Sequence, residues 1–170
     1  MAQEQFTDAI ALLKHDHREV EDLFSKFENA SSSERKWELA QQICNELKIH
    51  SMIEEEIFYP ATKEAVEEDL YKEAFVEHDG AKVLINDIME TGGEGEFFEA
   101  KVQVLSEEIE HHVKEEEKPS EGYFAQARGG DIDMVALRDQ LMARKEELMA
   151  EAENGGLPPA QLTAVHPETA

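Results

Sequence analysis

Basic residues are scarce in this chain, cysteine is almost absent and no long apolar run occurs; each shortage removes a class of function. There are 16 Lys and Arg against 40 Asp and Glu in 170 residues, a formal net charge of −24 at pH 7. A polyanion of that density repels phosphate backbones and anionic lipid headgroups, which argues against nucleic-acid binding and attachment to acidic membranes. No stretch approaches the roughly 20 apolar residues that span a bilayer. The N-terminal MAQEQFTDAI has no basic start followed by an apolar run, so no secretory signal is expected. The one cysteine, Cys44, cannot close an internal disulfide, and a reducing compartment, the cytoplasm, is the expectation. Cys44 falls beside Ile43 and reads as inert packing. Proline is absent before Pro60, and β-branched runs bounded by turn residues are missing, which leaves little room for strands.

What the chain does have is 41% hydrophobic residues, too many for a disordered polyelectrolyte. They recur at helical spacing. The pattern predicts one helix from about Phe6 to Glu28, and a second opened by the serines at 31–33 and ending near Tyr59-Pro60. A third runs from about Glu64 to Thr91, stopped by Gly92-Gly93, and a fourth from near Gly95 to Lys118-Pro119. A polar loop, PSEGYFAQARGGD, leads to a fifth helix from about Asp133 to Ala152. The fold expected is all-α: an antiparallel up-down four-helix bundle with an additional C-terminal helix. Residues 1–152 form this unit, and 153–170, with Gly, Pro and no periodicity, read as a disordered tail.

Each inward stripe is broken by ionisable residues. Helix one gives Ile10, Leu13, His17, Val20 and Phe24. Helix two gives Ile43, Leu47, His50, Glu54, Ile57 and Ala61. Helix three gives Ala74, His78, Ala81 and Ile85, and helix four Leu105, Ile109, His112 and Glu116. An ionisable group at a core position costs several kcal/mol unless it is paired or bound to a metal. His-x3-Glu sets both side chains on one face a turn apart, so that facing helices can present nitrogen and oxygen ligands to two ions, with carboxylates bridging. The spacing is duplicated: His17 and His50 are 33 residues apart, His78 and His112 are 34 apart, and both His50 and His112 have Glu at +4. The alternative, a buried hydrogen-bonded network without metal, would have to arise twice in one register.

The other polar residues sort by position. His15 lies about 200° around the helix from His17, and His111 about 100° from His112, so both are expected at the surface, as is His166 in the tail. Glu55, Glu56, Glu115 and Glu117 flank the seam and are expected to be solvated. Tyr59, Tyr71 and Tyr123 are left open between core, rim and a hydrogen bond to a bound oxygen species.

The motifs LLKHDHREVEDLF, ELKIHSMIEEEIFYP, EAFVEHDGAKVLI and VLSEEIEHHVKEEE resemble those of the hemerythrin-like proteins with an HHE cation-binding domain, over about residues 6–128. The resemblance implies a non-haem di-iron (Fe-O-Fe) centre held by His17, His50, Glu54, His78, His112 and Glu116, the six that the stripe selects. Imidazole and carboxylate ligands would also suit manganese or zinc. Ala74 stands where oxygen-carrying hemerythrins have a further His, and the last helix has His-x3-Glu in place of their His-x4-Asp. Both departures make the chain more similar to bacterial members linked to nitric oxide responses and iron-centre repair, although the cysteine-containing N-terminal domain of the repair proteins is not expected here. The missing ligand at Ala74 is expected to widen the opening at the metals. The segment Pro119-Ser120-Glu121-Gly122 interrupts the family's usual exit and is expected to loosen helix four near Glu116. The expected partner is a small diatomic or peroxide ligand, with no nucleic acid and no membrane, in a monomer or weak homo-oligomer. Alternatives at the same site are peroxide decomposition and iron storage or delivery.

Overall fold

The computed structural model describes residues 6–166. Four long helices run α1 (Ala9–Asn29), α2 (Ser33–Ile53), α3 (Glu68–Thr91) and α4 (Phe98–Glu117), followed by a short α5 (Tyr123–Arg128) and α6 (Met134–Glu153). Contacts run from α1 to α2, α2 to α3, α3 to α4 and α4 back to α1, the closed ring of an antiparallel four-helix bundle. No described helix is long and apolar enough to cross a membrane.

Local chemistry sets the helix ends. The Asp8 carboxylate accepts from Ala11 N–H, the Ser32 hydroxyl from Arg35 N–H, and the Asp133 carboxylate from Val135 and Ala136 N–H, each satisfying donors with no intrahelical partner. Gly92 closes α3 at φ 76°, a conformation that costs glycine little.

The largest departure from simple helical periodicity follows α2. Residues Glu54–Phe58 form a π-helical turn, then Tyr59–Thr62 one more α turn, with Tyr59 N–H bonded to Glu54 O. Pro60 gives the physical reason: it has no N–H to donate, and in a regular helix its ring would press on the carbonyl four residues back. The wider turn shifts the inward stripe by one residue. Phe58, Tyr59 and Thr62 are buried where regular spacing predicts Ile57 and Ala61, and Ala61 is exposed. The third helix begins at Glu68 rather than near Glu64, because Lys63–Ala65 is a 3-10 turn and Val66 is extended.

Two apolar clusters fill the bundle. One holds Ile10, Leu13, Ile53, Phe58, Tyr59, Tyr123 and Phe124 with Leu137 and Leu141 of α6. The other holds Val20, Phe24, Ile43, Leu47, Ile85, Phe98 and Leu105. The layer between them is polar. The region read as a polar loop contains α5, whose Tyr123, Phe124 and Ala127 are buried. The turn before it is tight: Gly122 N–H bonds to Lys118 O at 2.9 Å and Glu121 N–H to Pro119 O at 2.8 Å, while Ser120 sits at φ 66°. A Cβ at position 122 would lie 2.6 Å from Lys118 O. The Pro119–Gly122 segment therefore does not loosen α4, which continues to Glu117 with Glu116 buried.

Residues 154–166, expected as a disordered tail, form no helix or strand, yet hydrogen bonds fix them along α2 and α3: Asn86 exchanges two with Ala160, and Asp79 accepts from Thr163, Ala164 and Val165 N–H. Residues 167–170, the end of that expected tail, lie outside the described residues.

Candidate metal centre

The polar layer brings together all six residues that the stripe selects. Ligand atoms of His17, His50, Glu54 and Glu116 lie within 4.8 Å of one another, as do those of Glu54, His78 and His112. Glu54 belongs to both groups and is fully buried. Neither His15 nor His111 joins either group: His15 is half-buried and paired with Glu19, and His111 is exposed beside Glu77.

Four carboxylates outside this set orient the rings. His17 Nδ1 bonds to Glu117 Oε2 at 2.6 Å, His50 Nδ1 to Asp16 Oδ2 at 3.0 Å, His78 Nδ1 to Glu55 Oε2 at 2.8 Å and His112 Nδ1 to Glu77 Oε1 at 2.8 Å. A carboxylate only accepts, so each Nδ1 carries its hydrogen and each neutral imidazole presents the Nε2 lone pair inward. Glu55 and Glu117 are thus not solvated flanking residues as expected. Glu56 is, paired at the surface with Arg144. Asp16 and Glu77 went unselected by periodicity, yet the duplication carries their signal: each immediately precedes a lone histidine, as Glu55 and Glu117 each immediately follow a seam glutamate.

Several inward atoms have no hydrogen bond. His17 Nε2, His50 Nε2, Glu54 Oε2 and Glu116 Oε1 are buried without a partner. Yet His17 Nε2 and Glu116 Oε1 are 3.1 Å apart, and His50 Nε2 and Glu54 Oε1 3.0 Å. The atoms are close without forming a hydrogen bond, and ligand atoms of the four residues all lie within 4.8 Å of one another. Leaving such groups unsatisfied costs roughly 1–3 kcal/mol each, a cost that a cation at the shared point removes. The donor set therefore fits a metal.

The electrostatics agree. Burial alone would lower the pKa of His112, but the Glu116 charge and the ring's hydrogen bonds to Glu116 and Glu77 raise it to about 10. Burial likewise opposes the upward shifts of His17 and His50, and it is outweighed by Glu116 and Glu117 at His17 and by Glu54 and Asp16 at His50. Glu116 resists the upward pull of burial and is held well below the usual carboxylate range by the His112 and His17 charges. Protonated imidazoles and carboxylates balance one another, and a cation entering the layer displaces protons.

Tyr59, left open by the sequence, reaches the centre. Its Oη donates to Glu116 Oε2 at 2.8 Å and to Glu54 Oε1 at 3.3 Å, and lies 3.2 Å from His78 Nε2 and 3.3 Å from His112 Nε2. In a regular helix residues 54 and 59 would point about 140° apart; the π turn stacks them on one face. Burial, reinforced by the Glu116 and Glu54 charges, pushes the Tyr59 phenol well above its ordinary pKa, so it keeps its proton and acts as a donor. Tyr123 binds Thr62 at 2.8 Å and Tyr71 packs on Phe75; neither is bonded to the six.

A cavity of about 30 Å³ adjoins the four histidines, with walls that include Val20, Leu47, Ala81, Ile85, Ile109 and Val113. Ala74 does not line it, contrary to the expected widening there: Ala74 lies in the apolar cluster that contains Tyr59, whose hydroxyl occupies that flank.

The chain's likenesses fall on this layer. Residues 8–119 match the hemerythrin HHE cation-binding domain model. A crystal structure of a hemerythrin HHE cation-binding domain-containing protein from Mycobacterium kansasii superposes with a TM-score of 0.72 at 23% identity, covering 88% of this chain and 91% of that one. A DNA nickase of Nostoc sp. (strain PCC 7120 / SAG 25.82 / UTEX 2576) is 26% identical over 106 residues, 62% of this chain and 30% of the relative, so the chain spans less than a third of that protein. With the family match covering well over half of the residues, and buried histidine and glutamate groups able to hold metal at its centre, the chain belongs to the hemerythrin family of HHE cation-binding domains.

Proposed function

We propose that this chain carries a non-haem di-iron centre and uses it to bind or reduce a small oxygen or nitrogen species (dioxygen, peroxide or nitric oxide) in sensing, scavenging or stress protection. The observation that carries the reading is the set of buried, unpartnered ligand atoms on His17, His50, Glu54 and Glu116. His17, His50, Glu54 and Glu116 would hold one ion and Glu54, His78 and His112 the other, Glu54 being common to both groups. Mixed imidazole and carboxylate donors without thiolate suit iron, with manganese and zinc as competitors. When bound, iron supplies one-electron chemistry and coordination positions that a small ligand can take.

The residues around it do the rest. Glu117, Asp16, Glu55 and Glu77 fix each ring with Nε2 inward. Val20, Ala81, Ile85 and Val113 keep the adjoining cavity narrow and apolar, and about 30 Å³ admits molecules of a few atoms. Tyr59 Oη holds a proton within hydrogen-bonding reach of Glu116, a feature that favours peroxide decomposition as the second reading. Storage fits less well, because two ligand groups beside so small a space seat two ions rather than a mineral. The nickase likeness carries little weight for this chain, whose charge of −24 opposes a phosphate backbone.

Anaerobic reconstitution with ferrous iron should give two irons per chain and, on exposure to air, the absorption of an oxo-bridged di-ferric pair. A His78→Ala protein that still binds two irons with an unchanged spectrum overturns the assignment. Oxygen evolution from peroxide, lost in Glu54→Ala, would establish the second reading over reversible binding.

A further inference from the structure

The stretch 158–165 lies in the groove between α2 and α3 and is held there almost wholly by its own backbone. Lys48 Nζ donates to Pro158 O at 3.3 Å and Lys82 Nζ to Gln161 O at 2.9 Å. Asn86 Nδ2 donates to Ala160 O, and Ala160 N–H to Asn86 Oδ1, both at 2.8 Å. Successive N–H groups of Thr163, Ala164 and Val165 converge on the buried Asp79 carboxylate at 2.6–3.1 Å, a concave nest of donors around an anion.

This strap touches the metal layer through one side chain. Thr163 Oγ1 donates to Glu55 Oε1 at 2.6 Å, and Lys82 Nζ donates to the same oxygen at 3.0 Å. The other oxygen, Glu55 Oε2, receives His78 Nδ1 at 2.8 Å. Two hydrogen bonds therefore lead from the strap to His78 Nδ1, across the ring from the inward Nε2. Lys82 and Ser51 line both the cavity beside the histidines and the groove beneath the strap, so the docked strap also covers that side of the centre.

We propose that the strap 158–165 is part of the metal centre, with Thr163 a positioning residue that fixes Glu55 and through it His78, so that retention of the ion at His78 and His112 depends on the strap being docked. The proposal rests on the di-iron reading above. Outer partners of ligating histidines alter metal affinity by roughly 10–100-fold; a group one hydrogen bond further out should act at the lower end, roughly tenfold.

Three variants, each loaded with ferrous iron, test it beside the 170-residue parent: Thr163→Val, Thr163→Ser, and a chain ended after Leu157. Iron is withdrawn by a chelator in excess while far-UV circular dichroism monitors the fold. In Thr163→Val and in the shortened chain, half of the iron should leave roughly tenfold faster with helicity unchanged, and Thr163→Ser, which restores the hydroxyl, should return that phase to the parental rate. Equal extraction kinetics in Thr163→Val and the parent overturn the proposal. Docking is read separately in metal-free protein by hydrogen exchange: amides of 163–165 should be protected, and exposed in Asp79→Ala. Unprotected amides in the parent overturn the strap whatever the metal does. Protected amides in a chain that takes up no iron overturn the di-iron reading, and the proposal with it, while leaving the docking intact.

Discussion

Replacing Tyr59 with Phe removes a single oxygen from the middle of the polar layer, and the structure sets the size of the effect. Tyr59 Oη is buried and donates to Glu116 Oε2 at 2.8 Å, a charge-assisted bond in the interior of the bundle. Hydrogen bonds to charged groups contribute roughly 1.5–3 kcal/mol, and the ring itself packs as before, so the metal-free variant should lose about 2 kcal/mol. At about 2–4 °C per kcal/mol for a chain of this size, its Tm should fall by about 4–8 °C. With iron bound, Glu116 has another partner. If Tyr59 acts only as a donor, the deficit should then shrink; if its phenolate ligates iron, the deficit should persist and a visible tyrosinate-to-iron absorption should disappear. Calorimetry of parent and variant, each with and without iron, reads both. A metal-free Tyr59→Phe protein as stable as the parent would refute the account of Tyr59 as the keeper of Glu116.

Other expectations follow from the same geometry. The raised pKa of His112 gives stability that is complete below about pH 6.5 and fades as pH climbs toward about 10, while the depressed Glu116 gives stability that is lost as pH falls below about 4.5. Metal-free protein should therefore be most resistant to urea between about pH 4.5 and 6.5, and a steady gain from pH 6.5 to 9 would contradict the assigned partners. Ala81→Leu should fill the cavity of about 30 Å³ and abolish azide binding to the iron-loaded protein with iron content unchanged; an unaltered azide titration would place the ligand elsewhere. Cys44 is 1% exposed with its thiol pushed by burial to about 12, so a thiol reagent should label it only after unfolding.

The six inward residues were legible in the sequence because each obeys a single-helix rule: spacing of three or four residues along an apolar stripe. The bundle followed from the same rule. The features that escaped it depend on something other than helical period. Tyr59 was hidden because the π turn at Glu54–Phe58 breaks the period at that point, although Pro60 marked where a break was due. Glu55, Glu77, Asp16 and Glu117 sit on the flanks of their helices and are recruited by histidines on neighbouring helices, a relation that no one-helix pattern contains. Helix α5 is a turn and a half long, too short for a periodic signal. The strap is bound through its main chain, which side-chain composition cannot report.

The duplication has an imperfection at its two ends. Phe124 stacks on the His17 ring at 5.8 Å, and Tyr59 lies against the His78 ring at 5.4 Å. One half of the layer is thus roofed by hydrocarbon and the other by an ionisable phenol. Two ions placed in this frame would have unlike surroundings despite the duplicated histidines. A half-reduced protein should then show one electron localised on one side in its paramagnetic resonance spectrum, giving a near-symmetric cage a built-in polarity.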